Sequence, residues 1–222
     1  MESIISYTDW GLIPYSEAYE KQKTLFEDTI LKKSQDKKTE NTLIFCEHPH
    51  VITIGKNGLF SNLLFSEQML KEKQVELFHV DRGGDITYHG QGQLVGYPIF
   101  DLENFKLGLK DYIFRMEECI IKLLETYSIK SERLEGATGV WIDTDKPGKT
   151  RKICAIGVRS SRFVTMHGFA LNINTDLSYF QLINPCGFVD KGVTSMEVEL
   201  QGKVDFEEVK SRLSKLFFEY FQ

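Results

Sequence analysis

Residues 82–93 read Arg82-Gly83-Gly84-Asp85-Ile86-Thr87-Tyr88-His89-Gly90-Gln91-Gly92-Gln93. Strand-forming runs flank this stretch, Glu76 to Val80 before it and Leu94 to Ile99 after it. Glycine permits positive φ and lets another group approach the backbone closely. A hairpin turn alone does not need Arg82, Asp85, Thr87, Tyr88 and His89 crowded around its glycines. The segment therefore reads as a loop between strands that contacts a ligand. It is not a dinucleotide fingerprint, because Gly-x-Gly-x-x-Gly is absent.

Working outward, Tyr15 to Lys33 reads as a helix, and Thr42 to Cys46 and Val51 to Ile54 as short buried strands. Tyr112, Ile113, Met116, Ile120, Leu123, Leu124 and Tyr127 recur at helical spacing. Gly139 to Ile142 reads as a strand and Asp143 to Arg151 as a polar loop. Lys152 to Val158 and Phe163 to Ile173 read as two more strands, and Phe206 to Phe221 as a closing helix. With no internal repeat or long linker, residues 1–222 read as one domain of the α/β class, with a small C-terminal extension after Glu197 left open.

The chain has 222 residues, a hydrophobic content of 41% and a net charge of -5. That supports one substantial core, and no basic stripe for nucleic acid is visible. Cys46, Cys119 and Cys154 sit among apolar residues and read as core. No Cys-x-x-Cys occurs, and His48-Pro49-His50 has no third ligand near it, so no metal site is expected. The N-terminus lacks a secretory pattern and no apolar run is long enough to span a bilayer. The expectation is a soluble cytoplasmic protein without a membrane partner.

Gly148-Lys149-Thr150 mimics the end of a phosphate-binding loop, but Asp143 stands where that motif needs glycine. Without a nucleotide motif, an acylating enzyme would start from an already activated thioester, with no cofactor. Cys186, between Pro185 and Gly187, reads as a turn cysteine that could expose its thiol. A nearby cation lowers a thiol pKa, and Lys152, His89 and His167 are the available cations or bases.

These motifs resemble those of the octanoyltransferases of lipoate biosynthesis, from Glu47-His48-Pro49 through Ser195. Arg82 to Gln93 resembles the family signature loop. Lys152-Ile153-Cys154-Ala155-Ile156-Gly157 resembles the segment of the catalytic lysine. His167 to Asn172, then Asn184-Pro185-Cys186-Gly187, resembles the stretch leading to the catalytic cysteine. Gln91 departs from the pattern, which usually has proline there. Glutamine loosens the loop and adds a donor.

The resemblance implies a biotin/lipoate protein ligase-like fold, a mixed sheet with flanking helices on one side. It implies Cys186 as nucleophile and Lys152 as its activator and proton acceptor. Arg82, Gly83, Gly84, Asp85, Ile86, Thr87, Tyr88, His89, Ala155, Ile156, Gly157, Gly168, Phe169 and Ala170 would line an acyl tunnel. Bulky replacements at Gly83, Gly84 or Gly168 are then expected to shorten the longest acyl chain accepted. The implied donor is octanoyl–acyl carrier protein. The implied acceptors are lipoyl domains of 2-oxoacid dehydrogenase complexes and the glycine-cleavage H protein. Three rival readings stand beside this one. An ATP-dependent lipoate–protein ligase would typically have a third glycine near the position of Asp85. A non-catalytic acyl-carrier-binding module would need neither Lys152 nor Cys186. A hydrolase would use Cys186 with His167.

Overall fold

A computed structural model describes residues 5–184 and 191–222, so Cys186 lies outside the described residues. In chain order the elements are β1 (Ile5–Leu12), α1 (Tyr15–Ser34), β2 (Asn41–Glu47), β3 (Val51–Ile54), α2 (Glu67–Glu72), β4 (Glu76–His79), β5 (Ile86–His89) and β6 (Gln93–Ile99). There follow α3 (Leu109–Thr126), β7 (Glu132–Leu134), β8 (Ala137–Ile142), β9 (Arg151–Ser161), β10 (Val164–Asn172), β11 (Gly192–Val193), α4 (Met196–Leu200) and α5 (Phe206–Tyr220).

The larger sheet runs β1-β2-β6-β10-β9-β8-β7, with β11 paired to β9. It is mixed: β1 is parallel to β2 and β11 to β9, and the other pairings are antiparallel. A smaller sheet, β4-β3-β5, is also mixed.

Alternation along the central strands sorts the core into two layers. Leu43 and Phe45 of β2, and Phe169 and Leu171 of β10, face a cluster with Tyr112, Met116, Ile120 and Leu123 of α3 and Val209, Leu213 and Phe217 of α5. Ile44, Cys46, Val95, Tyr97 and Ala170 face the other way, against Ile13 and Ala18. Helices thus cover both faces, because the central strands are apolar on both sides, and the expectation of helices on one side is corrected. The closing helix is part of the main core and not an extension after Glu197. Its Asp205 caps it by accepting from Glu208 N at 3.0 Å.

The smaller sheet has its own apolar cluster, in which Ile52, Ile54, Ile86 and Tyr88 meet Leu63, Leu70, Leu182 and Ile183. It sits against β9 through the glycine-rich segment. Gly83 N donates to Val158 O at 2.9 Å. A Cβ on Gly157 would lie 2.8 Å from Gly83 O and 3.2 Å from Arg82 Cδ, so only glycine lets the two sheets come this close.

Candidate active site

The strand register brings small residues together on the α1-facing side of the larger sheet. Gly168 of β10 pairs with Gly157 of β9, and Ala170 with Ala155. Val95 of β6 stands opposite Ala170. Side chains this short leave a hollow, and the glycine-rich segment and β5 roof it. The result is a cavity that opens to solvent at its mouth. Tyr15 and Tyr97 line it, as do Trp141, Lys152, Lys191 and Val193.

Lys152 reaches this cavity through an irregularity in β9. Ile156 and Cys154 belong to the main core side, and strict alternation would send Lys152 there too. Val140 pairs with Cys154 but Trp141 pairs with Lys152, which leaves Ile153 as an extra residue. Such a bulge shifts the phase of the strand by one. Ile153 and Cys154 both enter the core, and Lys152 turns to the cavity. Its Nζ lies 4.4 Å from the centre of the Trp141 ring. That distance is within the range of a cation–π contact.

Burial lowers the pKa of the histidines in and beside the cavity. Burial pushes His89 down to about 3, with the neighbouring His48 adding to the shift. Burial likewise lowers His48 to about 4. Its Nδ1 bonds Ile13 O at 2.8 Å and its Nε2 meets Tyr97 Oη at 2.7 Å. His50 Nδ1 meets Tyr88 Oη at 2.7 Å, so the His48-Pro49-His50 pair is spent on separate protein contacts. His167 has φ +63, unusual for a residue with a side chain. Its Nε2 lies 2.9 Å from Asp81 Oδ1. Burial lowers the His167 pKa, and Asp81 opposes that shift. Among the described residues no cluster of His, Cys, Asp or Glu could hold a metal ion.

A family model for the lipoyl protein ligase A/B catalytic domain matches residues 21–218. The chain is 61% identical over 221 residues to an octanoyltransferase of Parabacteroides distasonis, spanning 100% of both chains. It is 56% identical over 205 residues to one of Bacteroides thetaiotaomicron, covering 92% of this chain and 90% of that one.

The chain belongs to the octanoyltransferase family.

As a member of that family it is a transferase enzyme. The bi-partite lipoate protein ligase of Thermoplasma acidophilum superposes with a TM-score of 0.71 at 18% identity, over 99% of this chain and 84% of that one. At that identity the likeness speaks for the biotin/lipoate ligase fold alone, and the fold expectation holds.

In this octanoyltransferase-family chain all of the expected site residues among those described, except Tyr88 and Gly83, line the cavity. They are Lys152, Arg82, Gly84, Asp85, Ile86, Thr87, His89, Ala155, Ile156, Gly157, Gly168, Phe169 and Ala170. Tyr88 points the other way, into the small-sheet cluster, and stacks on Tyr179 with ring centres 5.2 Å apart. Gly83 is also not among the lining residues; its N–H holds β9 instead. Arg82 spends much of its guanidinium on the protein. Its NH2 donates to Thr53 O at 2.8 Å and to Thr53 Oγ1 at 2.9 Å.

The glycines serve the backbone more than the cavity volume. A Cβ on Gly168 would lie 2.1 Å from Gly96 O and 2.6 Å from Pro98 Cδ, inside the sheet itself. Gly84 has φ +87, a conformation that side chains resist. The expectation that bulk at Gly83, Gly84 or Gly168 trims the cavity is therefore replaced. Ala170 and Ala155 are the positions where added volume enters it. Tyr15, Gln93, Trp141, Asn172 and Val193 also line the cavity and were not foreseen. Gln93 and Asn172 close two of the recognised motifs, and their polar side chains amid apolar strands were the available signal.

Proposed function

We propose that the protein transfers an octanoyl group from octanoyl–acyl carrier protein, through a thioester on Cys186, to a specific lysine of lipoyl domains or the glycine-cleavage H protein. The observation that carries this reading is Lys152, turned by a bulge onto a cavity floored by Ala155, Gly157 and Ala170, in a chain so similar to octanoyltransferases. Residues 1–222 act in this reading as one cytoplasmic catalytic domain. Among the described residues no helix is long and apolar enough to cross a membrane.

The Cys186 thiolate attacks the thioester carbonyl, and the carbon–sulfur bond to the carrier breaks. The carrier's thiolate leaves and takes its proton from the Lys152 ammonium, which leaves Lys152 as a neutral amine. The acceptor lysine's amine then attacks the acyl-cysteine carbonyl. An amide forms, the cysteine thiolate is released, and Lys152 accepts the amine's proton. The tunnel residues bury the acyl chain, at about 0.8 kcal/mol per CH₂.

An ATP-dependent ligase is the second reading, because the fold is shared with lipoate protein ligases. Against it, Asp85 fills the place of a third loop glycine. Its carboxylate is fixed by Asn62 Nδ2 at 2.6 Å and Ile86 N at 2.7 Å. Intact mass spectrometry after mixing with octanoyl–carrier protein tests the proposal. One hydroxylamine-labile octanoyl group on the wild type, absent from Cys186→Ala, supports it. Product formed from free octanoate only with ATP would establish the ligase reading instead.

A further inference from the structure

Gln93 and Asn172 stand directly opposite one another on β6 and β10. Both are buried and both line the cavity. Gln93 Nε2 donates to Tyr88 O at 3.2 Å and to Asn172 Oδ1 at 2.9 Å. Asn172 Nδ2 donates to Thr194 O at 2.9 Å. Thr194 N in turn donates to Lys152 O at 2.9 Å.

Carbonyl oxygens only accept, so Tyr88 O and Thr194 O fix the orientation of both amides. Gln93 Oε1 then faces His89 Nδ1 at 2.8 Å and must accept from it. His89 is thereby set as the Nδ1–H tautomer. The chain of bonds runs without a break from the end of the glycine-rich wall to the strand that carries Lys152. At its far end Thr194 Oγ1 donates to Glu199 Oε1 at 2.5 Å, and Glu199 is paired with Arg151, next to Lys152.

We infer that Gln93 and Asn172 are positioning residues for the transfer reaction. They set the spacing between the glycine-rich wall of the acyl cavity and the Lys152–Thr194 strand pair. The inference rests on the proposed role of Lys152. The Asn172 amide holds a backbone carbonyl, so it fixes the path of the main chain beside Lys152. Apolar residues of the same size would fill the volume and fix nothing.

The test uses two variants that enter the chain of bonds from opposite ends. Asn172→Asp keeps the side-chain shape but puts an oxygen in place of the donor to Thr194 O. Gln93→Met keeps length and removes both polar ends. Octanoyl transfer is measured for kcat, donor KM and pH dependence, alongside the melting temperature. The expected result is a kcat lower by roughly 10²-fold, the scale of a misplacement near 1 Å. The donor KM should hold, and the pH–rate profile should shift. The double variant should lose no more than the worse single, because one chain of bonds is broken once.

Unchanged kcat in both variants overturns the inference. So does a loss that only tracks the folded fraction, with the pH profile intact, or one that is additive in the double variant. A wild type that forms no acyl adduct on Cys186 would sink the thioester reading alone, and the kcat and KM comparison would still decide the positioning role.

Discussion

Lys152 sits at the cavity with an indole beside it, and in the sequence Cys186 lies six residues before β11, the strand that pairs with Lys152. If Lys152 supports the thiolate, Lys152→Ala should raise the pH at which Cys186 reacts with iodoacetamide. Transfer should slow by roughly 10²–10⁴-fold, the scale of lost acid–base catalysis. An unchanged alkylation profile would remove Lys152 from this role, and Lys152→Arg should not rescue transfer, because arginine stays protonated. A second residue tests the departure in the signature loop. Gln93 N donates to Gly90 O at 3.2 Å, and Gly92 has φ +78. That is the pattern of a type II turn with Gln91 at its second position, where proline is favoured. No described hydrogen bond uses the Gln91 N–H. Gln91→Pro should therefore stabilise the protein by about 0.4–1 kcal/mol in denaturant unfolding, through a less varied unfolded chain. A lower midpoint would show that the turn needs glutamine.

At the scale of elements, the Ala170–Ala155 pair crosses the middle of the cavity floor. It stands two residues, about 7 Å, from Asn172 at the Lys152 end. Ala170→Leu should reduce octanoyl transfer before it reduces transfer of shorter acyl groups. Equal loss across a chain-length series would put the acyl chain elsewhere. Gly168→Val should instead unfold the sheet locally, because its Cβ meets Gly96 O. The sequence made the long elements legible, since α1, α3, α5 and the central strands carry strong apolar patterns. It hid β1, whose residues are mostly exposed and lack an apolar face. It also hid β5, because glycines on either side of a four-residue strand read as loop. Tyr88 was assigned to the site with its neighbours because motif spelling does not show which ring of the strand is buried in the small-sheet cluster. The bulge at Ile153 was equally invisible, since it is defined only by pairing with Val140 and Trp141.

For the whole molecule, the neutral interior histidines make folding pH-dependent. His48 and His89 have folded values of about 4 and about 3, below the ordinary 6.5. Below about pH 6.5 the unfolded chain binds protons that the folded one refuses. Stability is therefore complete above that pH and is lost as the pH falls toward 4. Each of these histidines costs about 1.4 kcal/mol per pH unit through that window. Urea midpoints at pH 7, 6 and 5 should fall steeply, and a flat series would mean that these imidazoles titrate while folded. Elsewhere, Phe217 joins α5 to the main sheet, with its ring 5.6 Å from Phe169 and 6.3 Å from Phe45. Phe217→Ala should cost about 3–5 kcal/mol, a large part of the stability of a domain this size.

The extra residue in β9 also governs which changes of length the gene can survive. Removing Ile153 would restore regular alternation, leave Lys152 on the cavity side and take one apolar side chain out of the core. A few residues upstream, the exposed turn at 145–149 has no partner strand to fall out of step with, so a short epitope or linker should be carried there without loss of fold.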